Sequence, residues 1–444
     1  YPTSFEGGWE SFIGQTVTFT NDMYVCEHKG TTSLGIAYRR LRTPEENAKG
    51  LADGDSLDYY AIQEANKQDL IRLWGVSSNS VYSTRKGARI HRLTAKVTGI
   101  NELQLKGDLN LLDNAFPTKL PNMGYYQLLV CATNIEHFWT TIGQLGADNA
   151  EQLERQKKKI ATALVHINAD IYAICELQEG RSAISALTDA MNSLAGETQY
   201  AYVDNGFNNY NADMVGFIYR KDKVSPYGTM QFPYAYGVYH YRMIVKGFKD
   251  KNTNESFVIS LNHTKSKAGE DDTDDVRMEN VQKINECLTN ITKKQTFKDS
   301  DILIVGDYNA YSQEACIRYL VEEGDWEDQV LRFDSLGYSY AYGSEMGYLD
   351  RVFTSSSLSP HITAVHPYHI NTDYYYRHGY AYNEDVTMCR YADHDPILIG
   401  INFSSETAFE NIDATSSPAK ICQDGRILII YKEHIYNILG QPIQ

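Results

Sequence analysis

No apolar run in the 444 residues approaches the roughly 20 needed for a bilayer-spanning helix, so the sequence contains no transmembrane segment of that kind. The seven cysteines, at 26, 131, 175, 287, 316, 389 and 422, contain no CxxC pair and no dense cluster. Neither a zinc knuckle nor a disulfide framework is therefore written here, and the odd count leaves at least one thiol unpaired. Positive charge is also scarce: Lys+Arg 41 against Asp+Glu 57 gives a net −16. Non-specific attraction to nucleic acid or anionic lipid cannot drive binding at that balance, and a phosphate-bearing substrate needs local cations or a metal. Tyr1 to Glu10 has no basic start followed by an apolar stretch, so no targeting peptide is expected there.

What the chain does have is tyrosine, 34 residues against 15 Phe and 4 Trp, which supplies large half-polar contact surfaces. Its length accommodates two or three domains of about 150 residues. Residues 1–120 hold 14 basic and 14 acidic side chains, whereas 121–444 hold 27 and 43, so the acidity belongs to the second part. The first part alternates short strands, Thr16 to Phe19 and Arg89 to Val97 among them, with Gly-, Asp- and Ser-rich turns and a helical stretch near Ala61 to Leu73. That pattern fits a small β-barrel or sandwich. Two prolines and two glycines in 107–124 place a boundary there. From Tyr125 onward, buried-strand runs such as QLLVCATNIE, ADIYAICE, SFVISLNH and DILIVGDYN alternate with helices, of which Glu151 to Asn168 and Asp275 to Thr292 are amphipathic. The expected organisation is a β domain over 1–123, a large mixed α/β domain over 124–403, and a linker with a C-terminal β-hairpin tail over 404–444.

The chemistry gathers at strand ends, where domains of this class build their sites. Asn134 and Glu136 close one apolar run at a spacing that puts both on one strand face. Glu176 ends the next, Asn262 and His263 a third, and Asp307 and Asn309 a fourth; Asp350 lies in GYLDRVF, and Asp393 and His394 in YADHDPILI. A carboxylate buried without a partner is costly, so these groups imply one shared site that meets a cation. Several carboxylates, a few amides and two histidines, with no cysteine, favour Mg2+, Mn2+ or Ca2+ over zinc. Such an ion beside imidazoles points to hydrolysis at phosphorus.

The ordered segments N-x-E, CE, NHTKSKAG (262–269), GDYNAY (306–311), YLDRVF (348–353) and ADHDP (392–396) resemble the metal-dependent endonuclease/exonuclease/phosphatase superfamily. The bacterial extracellular nucleases are the nearest branch in NH-x-K-S-K and GDYNAY. The resemblance covers about residues 125–402. It implies a four-layer α/β/β/α sandwich, deoxyribonuclease-like, preceded by a small all-β OB-like domain. By the same resemblance, Glu176 helped by Asn134 holds the metal and Asp393 binds a second ion or tunes the first. Asp307 orients and deprotonates the attacking water beside Asn309. His394, held by Asp350, binds the scissile phosphate or assists the departing oxygen, and His263 donates to the phosphate from the other side. Cys175 stands where relatives usually have Gln, and Thr264 where they have an apolar or aromatic residue.

The implied activity is that of a secreted, Mg2+-dependent phosphodiesterase acting on nucleic acid. The alternative is a lipid or small phosphate ester as substrate, as in sphingomyelinase-like or inositol-phosphate phosphatase-like relatives. Lys265 and Lys267 are candidate phosphate contacts, and the clusters Arg39, Arg40, Arg42 and Arg85, Lys86, Arg89, Arg92 a candidate backbone track. Arg277 reads as structural, the acidic run 270–275 as a solvated loop, and Tyr374 to Tyr376 as stacking or packed tyrosines. The tail resembles C-terminal segments of proteins secreted by Gram-negative anaerobes, so a secreted, periplasmic or cell-surface location is expected. An open groove with cationic walls would mark a polymer substrate, and a narrow pit ringed by tyrosines a small head group.

Overall fold

The structure is a computed structural model that describes residues 8–44, 59–204, 212–233, 242–267, 273–294, 297, 299–376, 379 and 387–403, together with the strands at 419–423, 426–431, 434–436 and 442–443. The expected linker (404–418) and residues 270–272 of the acidic run lie outside the described residues. Contacts divide the chain into two compact units, Tyr1–Asn402 and Phe403–Gln444. The second holds four short antiparallel strands joined in sequence order, two more than a single hairpin supplies.

Two six-stranded sheets form the centre of the first unit. One runs Tyr200–Tyr202, Asp213–Arg220, Ile171–Gln178, Leu128–Phe138, Ile397–Ile401, Ile362–Pro367; the other runs Val224–Gln231, Met243–Asp250, Ser256–His263, Ile302–Asp307, Asp350–Thr354, Glu327–Asp328. Their middle strands are apolar on both faces, as sandwiched strands must be. Helices Ala150–Ile167 and Ser182–Ala195 share a core with the first sheet, and Asp274–Lys293 and Ala315–Glu322 share one with the second. The result is the four-layer α/β/β/α arrangement. The first helix shows how local sequence sets an element. Asn149 caps it by accepting the Gln152 N–H, Asn168 ends it in the left-handed region at φ 53, and Ile160, Leu164 and Ile167 line its buried stripe.

Preceding these sheets is an eight-stranded sheet in the order Thr16–Thr18, Thr94–Gly99, Glu102–Leu105, Ile71–Trp74, Ser33–Ala37, Met23–His28, Arg89–Ile90, Leu111–Leu112. Its core is formed by Met23, Val25, Leu34, Ile36, Leu73, Val97 and Leu103. Two expectations change here. The strand read over Arg89 to Val97 is broken by a turn in which Arg92 takes φ 53, so its halves join different neighbours. The helix near Ala61 to Leu73 spans Tyr59–Asp69 and gives way to the strand Ile71–Trp74, because Ile71 and Leu73 are buried on alternate positions and follow a period of two rather than 3.6.

The pairing register places the chemistry. Ser256–His263 and Ile302–Asp307 are parallel, with His263 opposite Asp307, and the antiparallel strand beyond puts Asp350 opposite Asp307. Leu128–Phe138 and Ile171–Gln178 are also parallel, with Asn134 opposite Cys175. Both parallel pairs therefore deliver their polar ends to one edge of the sandwich. Gly306 makes this possible: its φ is +134, and a Cβ there would lie 1.9 Å from the Asn262 carbonyl oxygen. Gly306→Ala is expected to remove about 3 kcal/mol of stability, against about 1 kcal/mol for Gly107→Ala, which has φ +92 but open space around it. Urea denaturation of both variants checks this, and equal losses would show that the Asn262 backbone is not the obstacle.

Candidate active site

Asp307 is the hub of the polar edge. Its Oδ2 lies 3.7 Å from His263 Nε2 and 3.8 Å from His394 Nε2 and accepts from Asn134 Nδ2 at 3.1 Å; its Oδ1 accepts the Asn309 N–H at 2.8 Å. Asn134 Nδ2 also donates to Glu176 Oε1 at 2.9 Å within its own sheet, so its bond to Asp307 joins the two parallel pairs across the gap between the sheets. His394 is oriented through Nδ1 by Asp350 Oδ2 at 2.8 Å, and the Tyr340 ring leans on it with centroids 4.6 Å apart. His263 Nε2 is 3.7 Å from Glu176 Oε1. The sequence-derived residues Asn134, Glu176, His263, Asp307, Asn309, Asp350 and His394 therefore converge. Asp393 is half-buried beside them and lines the adjoining cavity with Glu136.

Burial sets the electrostatics. It lifts the Asp307 pKa to about 7, with Asp350 and Glu176 adding to the rise and the His394 charge opposing it. Glu136 is lifted to about 7 by burial and by Asp393, and Glu176 is raised chiefly by burial. Burial works against a charged His394, but Asp350, Asp307 and Asp393 outweigh it and hold the pKa well above the ordinary histidine value. His263 moves the other way: burial and then Arg242 press it well below that value, so it is neutral at pH 7. One imidazole is thus charged and one neutral on either side of the same carboxylate.

The backbone is unusual where the acids meet. Glu136, His137, Glu176 and Asn309 all have positive φ, between 48 and 67. The pairing of Leu128–Phe138 with Ile171–Gln178 slips between Cys175 and Leu177, and a slip of this kind re-aims side chains. Strained non-glycine residues persist where surrounding contacts over-determine them. Here the contacts are visible: Asn134 Oδ1 accepts the Glu136 N–H and Glu176 Oε2 the His137 N–H, both at 2.9 Å.

Sequence reasoning missed the supporting residues. His137 Nδ1 lies 3.2 Å from Asp213 Oδ1 and 3.4 Å from Glu176 Oε2, and Trp139 Nε1 donates to Asp213 at 2.7 Å. Asp395 accepts from His369 and from the Asn371 and Thr372 N–H groups, and Asn371 Nδ2 holds the His394 carbonyl at 2.7 Å. The second Asp of ADHDP and the polar residues of the run His369-Ile370-Asn371 are the sequence features concerned. Asp213 opens a strand rather than closing one, so no strand-end rule finds it. Lys267 is bound to Glu314 at 2.6 Å, and buried Arg277 is bound to Thr273, Asp274 and the Lys265 carbonyl, which makes it structural. Cys175 is buried with a thiol pKa well above its usual value, and Thr264 Oγ1 donates to the Tyr308 carbonyl at 2.5 Å. Both border the ionisable cluster: Asp307 acts on the Cys175 thiol, and the Thr264 N–H donates to the Asp307 carbonyl at 3.0 Å.

Ligand atoms of Glu176, His263 and Asp307, and of Asp307, Asp350 and His394, lie within 4.8 Å of one another. Desolvated carboxylates with raised pKa values, cross-linked by one neutral amide, lack a full counter-charge. This oxygen-rich set fits a hard divalent cation, which Glu176 with Asn134 would hold.

A profile described as the Endonuclease/Exonuclease/phosphatase family matches residues 131–393, more than half of the chain. No curated protein matches. Similar solved structures include an endonuclease/exonuclease/phosphatase family protein of Bacteroides thetaiotaomicron, 16% identical over 61% of this chain and 96% of that one, with a TM-score of 0.43. A mannosyl-6-phosphatase of the same organism is 16% identical over 62% and 100%, TM-score 0.44. The human Nocturnin catalytic domain is 15% identical over 62% and 94%, TM-score 0.41.

The electrostatics predict a pH-dependent stability. Asp307, Glu136 and His394 have folded pKa values above their unfolded ones. Their stabilising contribution is complete below the unfolded pKa and is lost as pH rises through the folded value. His263, with a depressed pKa, acts in the opposite sense but only below about pH 6.5. In chelator, Tm is therefore expected to fall between pH 6.5 and 8.5. Mg2+ should raise it, more at pH 8 than at pH 6.5, because protons compete for the same carboxylates. Thermal melts across that range, with and without Mg2+, check this; a flat profile unaffected by Mg2+ would contradict it.

Proposed function

The chain belongs to the endonuclease/exonuclease/phosphatase family, and from that premise we propose that it hydrolyses small phosphate esters by direct attack of water, with Mg2+, or Mn2+ or Ca2+ in its place, as cofactor. The observation that carries the chemistry is the Asp307 carboxylate lying within 3.8 Å of two imidazoles, one charged and one neutral. A bound divalent cation would supply charge neutralisation at a phosphate oxygen; Glu176 and Asn134 would hold it, with Asp393 as a further candidate ligand.

Asp307 takes the proton of the attacking water. A pKa near 7 suits a general base at neutral pH, and the Asn309 N–H on Oδ1 fixes which oxygen is free to act. His394, kept protonated by Asp350, binds the phosphoryl group and gives its proton to the departing oxygen. Neutral His263 donates to the phosphate from the opposite side.

Substrate size is argued from the rim. A polynucleotide, the first expectation from the sequence, needs a cationic track, and much of the one foreseen is neutralised. Arg39 and Arg42 bind Asp69, Arg85 binds Asp373, and Arg89 binds Asp22 and Asp113. The space beside the catalytic residues is instead a cavity of about 800 Å³ that Tyr340, Tyr342 and Tyr374 to Tyr376 help to line, a size that suits a small ligand. The resemblance of the tail to those of exported proteins supports a secreted, periplasmic or cell-surface location in a bacterium.

An activity panel with and without chelator tests these points. Sugar and polyol phosphates are expected to be hydrolysed faster than plasmid DNA or RNA, and chelator should abolish turnover. His394→Ala is expected to lower kcat by about 10² to 10⁴. Faster turnover of polynucleotide would overturn the substrate class, and an unchanged His394→Ala rate would overturn the chemistry.

A further inference from the structure

The cavity beside the catalytic centre is built from both halves of the first unit. Glu136, Tyr340 and Asp393 line its catalytic side, and Lys86 with the end of the strand Met23–His28 lines the other. The wall between them is tied down by the hairpin Tyr340–Tyr342 and Glu345–Gly347. Asn66 Nδ2 donates to the Ser344 carbonyl at 2.9 Å, the Ser344 N–H donates to Glu27 at 3.0 Å, and Lys86 Nζ donates to the Ala341 carbonyl at 3.1 Å. Below it, Arg85 Nε binds Asp373 at 2.7 Å, and Tyr375 inserts into the core of the N-terminal sheet, stacking on Tyr82.

Four cations line this space, and two of them are paired, Lys29 with Glu27 and Lys67 with Glu64. Among the described residues neither Lys86 nor Arg390 forms an ion pair; Lys86 binds a carbonyl and Arg390 Nη1 the Ala392 carbonyl. The acids nearest Lys86 are engaged elsewhere: Asp373 by Arg85 and Tyr338, Glu27 by Lys29 and the Ser344 N–H, Asp395 by His369 and two backbone N–H groups. Glu136 and Asp393 face Arg390 from the catalytic side without pairing with it. Arg390 also holds φ at 56, outside the range a non-glycine residue ordinarily takes. Lys86 and Arg390 repel each other at this end of the cavity. Burial, then Arg390, brings the Lys86 pKa down to about 8, and burial, then Lys86, brings His28 down to about 3. Half-buried cations without carboxylate partners in a walled space form a site for an anion.

We infer that the N-terminal module is the specificity half of the active site, with Lys86 and Arg390 binding a second anionic group, a phosphate or carboxylate, of the ester that is cleaved. The inference rests on the small-ester reading above and narrows it. The substrate carries one phosphate at the Asp307 and His394 centre and another anion on the N-terminal side, with its carbon skeleton between Tyr340 and Tyr376.

Two measurements on the full chain test it. In chelator at pH 7, pyrophosphate is titrated calorimetrically. The part of the binding lost in the Lys86 and Arg390 variants reports the cationic end of the cavity. Lys86→Gln and Arg390→Gln are expected to weaken binding about tenfold each, and Arg390→Lys to restore most of it. No binding, or equal binding by all variants, overturns the anion site. With Mg2+, α,ω-alkanediol bisphosphates are compared with alkyl monophosphates of the same chain length. The bisphosphate is expected to have about a tenfold higher kcat/KM, mainly through KM, and the ratio is expected to approach one in both Gln variants. Equal ratios in wild type and variants overturn the role in specificity. Anion binding that is lost in the variants, without turnover of any ester, would preserve the site and remove the hydrolase reading instead.

Discussion

The organisation of the molecule follows from one constraint: carboxylates of two sheets are buried at a single edge with less positive charge than they need. Asp307 stands at its centre, touched by an amide from the other sheet, by two imidazoles, and by the backbone of its own strand. Buried acids in such company take up protons or a cation, and the raised pKa of Asp307 is the sign of it. Everything nearby serves to keep that cluster assembled. The parallel registers bring the strand ends together, Gly306 allows the close approach of Asn262, and the left-handed residues turn Glu136, His137 and Glu176 out of simple alternation.

Much of this was legible in the sequence because the relevant signals are local. Apolar runs ending in Asn134, Glu176, His263 and Asp307 announce both the strand and its polar end, and the structure brings all four side chains to the same edge. The helix over Ala150–Ile167 was readable from its period to within a residue or so. What escaped depends on tertiary contact. Asp213 and His137 are unremarkable until a second strand brings them to Glu176, and the split of Arg89 to Val97 follows from pairing partners rather than propensity. Lys267 and the arginine clusters looked like free charge because composition cannot show which acid each will meet.

The histidines show how one fold edge holds two imidazoles in different protonation states. His394 has a carboxylate at 2.8 Å on its outer nitrogen, so proton and charge stay with it. His263 is equally enclosed, its Nδ1 has no hydrogen-bond partner among the described residues, and burial together with Arg242 drives it neutral. The distinction lies in the charged neighbours, carboxylates led by Asp350 around His394 and the Arg242 cation near His263, and it sets a charged and a neutral imidazole on either side of Asp307.

The insertion of Tyr375 into the core of the eight-stranded sheet bears on the autonomy of the larger sandwich. The segment that carries Tyr375 also carries Asn371 and Asp373, and through Asn371 it grips the backbone of His394. A fragment lacking the N-terminal sheet would expose an aromatic side chain that is 1% accessible in the intact protein and would lose the anchor of the loop behind the imidazole. The sandwich thus leans on the N-terminal sheet, which is a scaffold on which it completes its own polar edge.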